Sequence, residues 1–194
     1  MRKLEMICRV KMYSALLKVG LAVLVLPLPS LAQNTVSQTL DVTVVPLGGL
    51  FMQATPLALT KAGTSFNTFA GTVTLSYRAR TRQGTGQGTI TVKATTDFQP
   101  SGGPSIANPP NAGDQFTYTC SGATLGVACS GIQTVSTTSA TSVVSLGASA
   151  CTGGGAPCST ANPNSANVTF ILTDDPKYKT GSYSATLTWT ISAS

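Results

Sequence analysis

The side chains available for chemistry are few. Beyond residue 32 the chain has no histidine and no glutamate. Ser-His-Asp and Cys-His nucleophiles, HExxH zinc sites and imidazole proton relays are therefore excluded. Five aspartates, seven Lys or Arg, four cysteines and many hydroxyls remain. Asp174 and Asp175 are adjacent and precede Pro176, which suits a turn whose carboxylates cap backbone N–H groups. A calcium ion, which takes ~6–8 oxygens, finds no EF-hand spacing around them. Asp97 and Asp114 are the other carboxylates to weigh as a glycosidase pair, but one follows a strand pattern and the other ends a loop. No catalytic residue, metal ligand or cofactor is expected, and the chain reads as non-enzymatic.

Arg78, Arg80 and Arg82 are the one unusual charge feature. Alternate residues of a strand share a face, so their guanidinium groups would stand ~6–7 Å apart. They form a candidate anion-binding row, suited to surface polysaccharide or to carboxylates on a neighbouring subunit. Charges of this kind also keep a sheet edge from pairing with another sheet, and that is the favoured reading. Nucleic acid is not an expected partner. The first 32 residues hold five cations against one glutamate, so the seven cations and five aspartates that follow leave only +2, with no aromatic residue between the arginines.

Cys120, Cys129, Cys151 and Cys158 follow the first 32 residues, where Cys8 lies. An even count in an exported chain predicts a disulfide framework with three possible connectivities. Local pairing is favoured, because Cys120–Cys129 encloses SGATLGVA and Cys151–Cys158 encloses TGGGAP, both rich in turn-forming residues. Export itself is predicted by residues 1–32. A basic stretch to Lys18 precedes the apolar run Val19 to Leu28 and the small-residue site Ser30-Leu31-Ala32. That run is about half the ~20 residues of a membrane span, so a cleaved signal peptide is expected. It leaves a secreted or extracytoplasmic domain over residues 33–194 with no membrane span.

The elements that must position these residues are strands. Val73, Leu75, Tyr77 and Ala79 alternate with Thr72, Thr74, Ser76 and Arg78, and after QGTGQG the alternation resumes at Ile90, Val92 and Ala94, as in a hairpin. Phe116, Tyr118 and Cys120 alternate again, the Ser/Thr-rich stretch 132–146 predicts one or two weaker strands, and the chain closes with Val168–Leu172 and Tyr183–Ile191. An earlier alternating run, Thr35 to Val45, is followed by Pro46-Leu47-Gly48-Gly49, read as a hinge. Gly/Pro-rich loops occupy Gln99–Gly113 and Cys151–Ser165. The pattern predicts an all-β fold: one antiparallel Ig-like β-sandwich of about 7–9 strands. Trp189 is expected as a core anchor.

The ending YKTGSYSATLTWTIS, residues 178–192, resembles the closing hairpin of WxL-type cell-surface domains. It is also similar to the last strand of pilin-like and spore-coat-U-like bacterial secreted domains. The resemblance covers roughly the last 30 residues and implies an all-β surface protein engaged in wall association, adhesion or fibre assembly. Only one W-x-x motif is present, with Ile191 where leucine is usual, so wall binding does not carry over. The expected function is a secreted, non-enzymatic, structural or adhesive cell-surface protein. It would act on itself or on other surface proteins, assembling through its N-terminal strand. The alternative is an extracellular glycan- or ligand-binding module built on the loops.

Overall fold

The alternating run after Gly71 builds the longest strand. The computed structural model of the protein describes residues 38–52, 56–63, 65–151, 158 and 163–194; the expected signal peptide lies outside them. In chain order the strands are β1 (Leu47–Phe51), β2 (Thr60–Lys61), β3 (Phe69–Arg80), β4 (Gly88–Ala94), β5 (Thr117–Ser121), β6 (Val127–Ala128), β7 (Gln133–Thr134), β8 (Thr141–Leu146), β9 (Asn164–Leu172) and β10 (Leu187–Ala193). All pair antiparallel, in two sheets. The first has the order β1–β3–β9–β5–β7, with β2 also pairing β3; the second runs β10–β4–β8–β6. Residues 42–194 form one unit, and the expected antiparallel sandwich is present with ten strands among the described residues, three of them only two residues long.

Period-two alternation puts one row of each strand into the interior. Leu75, Tyr77 and Ala79 of β3, Ile90, Val92 and Ala94 of β4, Tyr118 of β5 and Ala166, Val168 and Phe170 of β9 are buried. Val143 and Val144 of β8 are both fully buried although consecutive, because the register against β4 shifts between Ile90 and Thr91. That bulge inserts one residue and turns two neighbours inward. Phe170 sits at the centre, with ring centroids 5.2 Å from Phe116, 5.8 Å from Tyr118 and 6.1 Å from Trp189.

Two expected hairpins are crossings instead. β3 and β4 lie in different sheets, as do β9 and β10. A Gly-rich loop is compatible with either geometry, and residues 81–87 carry the chain over the end of the sandwich. There Thr81, 1% exposed, donates to Gly147 O at 2.7 Å and accepts from Ala150 N at 2.9 Å. The supposed hinge is also a strand, since Leu47, Gly48 and Gly49 pair with Arg80, Ala79 and Arg78. A Cβ on Gly48 would stand 2.9 Å from Ile191 Cγ1, so glycine is what lets β1 approach β10. By contrast, residues 38–46 are in no strand, although the alternation around them predicted one.

One long side of the sandwich is stitched shut. Cys120 of β5 bridges Cys129, which follows β6, with 5.2 Å between Cα atoms. Tyr118 Oη donates to Ser142 O at 2.8 Å with the Thr141 hydroxyl 2.9 Å away, and Tyr77 Oη donates to Leu125 O. Truncating Phe170 to alanine should lower unfolding free energy by about 3–5 kcal/mol, and replacing Cys120 and Cys129 together by serine by about 2–3 kcal/mol. Urea unfolding of the two variants checks both values.

Candidate functional site

The opposite long side is open. β10 pairs with β4 along one edge and, among the described residues, with no strand along the other. Its inward residues Leu187, Trp189 and Ile191 are therefore only partly buried. Trp189 does contact the core through Phe170, but as the wall of a cleft rather than its centre. The cleft has a volume of about 1130 Å³. Phe69 and Val73 of β3, Phe170 and Leu172 of β9, and Leu57 and Leu59, which pack over Gly71 ahead of β2, line it opposite Leu187 and Trp189. The strand rows that line it are apolar, and the β10 edge beside them, which has no strand partner among the described residues, is of the kind to which another strand can add.

Two loops wall one end of this cleft. Gln99 and Ser184 exchange backbone hydrogen bonds, each of 2.9 Å, and Lys179 N donates to Gly102 O at 2.8 Å. Tyr183 lies against Gly103, where a Cβ would come within 2.2 Å of its ring. Asp97 organises the first loop. Its carboxylate accepts from Ser105 Oγ at 2.6 Å and from the amides of Ile106, Phe98 and Ala107 at 2.6, 2.8 and 3.4 Å. Burial pushes this carboxyl up, but the four donors outweigh burial and hold it below its ordinary value.

A second polar group lies at the same end. Asn111 Nδ2 donates to Asp114 Oδ2 at 2.7 Å and to Asp175 Oδ2 at 2.5 Å, while Lys177 Nζ donates to Asn111 Oδ1 at 2.9 Å. Asp174 pairs with Lys61 at 2.7 Å. Burial, and then the charges of Asp114, Asp175 and Asp174, push the nearby Tyr178 phenol up to about 12. Each of these four carboxylates thus has a structural partner. Asp97 and Asp114 belong to separate networks, and no group of three or more His, Cys, Asp or Glu is placed to hold a metal ion among the described residues.

The other expected site residues fall elsewhere. Cys151 bridges Cys158, so the local pairing is present at both sites. Two disulfides belong to an oxidising environment outside the cytoplasm. No helix among the described residues is long and apolar enough to cross a membrane. The arginine row is not continuous. Arg82 lies past the end of β3, Arg78 stacks over Phe51 at 4.8 Å, and Arg80 donates to Val45 O. Sequence reasoning missed the cleft, and the signal pointing to it was the alternating run Thr35 to Val45, whose described part, 38–45, is in no strand.

Asp97→Asn should weaken the loop wall in a pH-dependent way. A carboxyl whose folded pKa is depressed contributes stability that is complete above its unfolded pKa and is lost as pH falls through the folded one. The stability difference between wild type and variant should be constant above about pH 5 and shrink below about pH 4. Urea unfolding at a series of pH values measures it. Comparison with known proteins adds no relative to this geometry: no protein-family model matches the sequence, and no curated protein matches it.

Proposed function

We propose that this protein is an exported, non-enzymatic surface protein that assembles by strand addition, the cleft along β10 of one copy receiving the 38–46 segment of the next. The observation that carries the reading is the pairing of an open edge with an unplaced strand. Leu40, Val42 and Val44 are 85%, 74% and 65% exposed. They alternate as the inward row of a strand would, and each gains about 1.5–3 kcal/mol if buried. Nine extended residues span ~30 Å.

Direction favours a neighbour over the chain's own cleft. The chain enters β1 at Leu47, opposite Arg80, while the cleft is built around Phe69, Leu172 and Leu187 at the other end of the same strands. A segment leaving one end and a cleft open at the other make a head-to-tail contact that does not close on itself, which is the geometry of a fibre. Strand addition to a free edge supplies main-chain hydrogen bonds, and the alternating side chains supply specificity. The donated strand would run antiparallel to β10, its Val45 end at Leu187 and its Gln38 end toward Ile191.

A second reading rests on the aromatic lining of the cleft. Phe98, Phe116, Tyr178, Tyr183 and Trp189 all face it, and such rings suit an apolar ligand or a glycan. Light scattering and electron microscopy of residues 33–194 separate the two. Wild type should form linear chains. Leu40→Asp with Val42→Asp removes the donor, and Ala185→Trp fills the acceptor; each variant alone should stay monomeric, and their mixture should stop at a 1:1 dimer. A strictly monomeric wild type at high concentration, or donor variants that still form chains, would sink the assembly reading. Saturable binding of a soluble surface glycan, blocked by Ala185→Trp, would then support the second.

A further inference from the structure

The three arginines and the Pro46–Gly49 stretch remain to be explained, and the same few contacts account for both. Arg80 stands on the outer face of β3, opposite Leu47 of β1. Its guanidinium donates twice to one acceptor, Nε at 3.0 Å and Nη2 at 2.6 Å from the carbonyl oxygen of Val45. Val45 lies two residues upstream of the strand, at the point where the N-terminal segment leaves the body. Its backbone is already restricted, because a residue before proline is held to extended conformations and Pro46 has a fixed φ. From Leu47 to Phe51 the chain is then paired residue by residue with Arg80 to Ser76. Gly48 is wedged against Ile191, and Arg78 lies over the Phe51 ring.

We infer that Arg80 is a positioning residue that makes the exit of the N-terminal segment a rigid splint, so that Val44 and Val45 continue the line of β1 instead of swivelling about it. Two guanidinium groups on one face brace the two ends of β1: Arg80 at the Val45 end and Arg78 at the Phe51 end. A planar, permanently charged fork is suited to this task, since it grips a carbonyl with two donors in fixed relative geometry. Lysine offers one compact charge and no fork. Arg82, which is exposed and lies beyond the strand, makes no contact with Val45 and serves as the control for charge. Where the assembly reading holds, on which this second consequence rests, the splint fixes the angle between successive copies and sets the stiffness of the chain.

Backbone ¹⁵N relaxation of the 33–194 chain, with Ala185→Trp present throughout to fill the acceptor cleft and keep every sample monomeric, reads the splint directly, without assembly. In wild type and in Arg82→Gln, the heteronuclear NOE at Val44 and Val45 should match that of β1. In Arg80→Gln it should fall toward the value of a free terminus, with Arg80→Lys between the two. An unchanged NOE at Val45 in Arg80→Gln overturns the inference; if that variant fails to fold, an unchanged NOE in Arg80→Lys does so. Electron microscopy then tests stiffness. Assembled Arg80→Gln should give chains as long as wild type but more sharply bent, and equally straight chains would overturn the stiffness claim. Absence of chains from wild type would refute strand addition and leave the relaxation result standing.

Discussion

The structure depends on a mismatch of cover: a sheet of four strands faces a sheet of six, five of them side by side, so part of the wider sheet's apolar face has no strand opposite it among the described residues. Burying apolar area is the dominant favourable term in folding, and each sheet here has one apolar row per strand to hide. The β4, β8 and β9 rows are covered almost completely. Phe69 and Val73 of β3 and the inward row of β10 are not. β1 closes one end of the gap at the Gly48–Ile191 contact, the Asp97 loop and residues 178–185 close the other, and what remains is the cleft.

The two long sides of the sandwich are held by different means, which explains why only one is open. On the β5–β6 side a disulfide and two buried tyrosine hydroxyls tie sheet to sheet. Those hydroxyls are buried in apolar surroundings and would be destabilising without acceptors. Burial raises the pKa of both phenols. On the β10 side no cross-link stands between the sheets among the described residues, and Trp189 meets Phe170 edge to face. A strand laid along β10 would complete the hydrogen-bond ladder and cover the aromatic floor at once.

Charge in this molecule is used for fastening. Asp97 gathers a loop, Asp114 and Asp175 share Asn111, Asp174 holds Lys61, and Arg78 and Arg80 brace β1. Asp97, whose carboxylate accepts four hydrogen bonds, is stabilised as the anion.

Composition and periodicity by themselves determined the all-β class, the inward rows of β3, β4 and β9, and the local cysteine pairing. These follow from short-range rules: side chains alternate with period two, and a short turn-rich loop brings its own ends together. Which strands share a sheet was decided only in three dimensions, because a loop of a given length joins neighbours in one sheet or crosses to the other equally well. The sequence therefore suggested two hairpins where the chain makes two crossings. For the same reason Trp189 reads as core from its row, although its burial depends on a neighbour that β10 lacks among the described residues. The 38–45 alternation was legible as a strand, but its partner was not: no residue in that segment records whether the edge it completes lies in its own sheet or in another copy's.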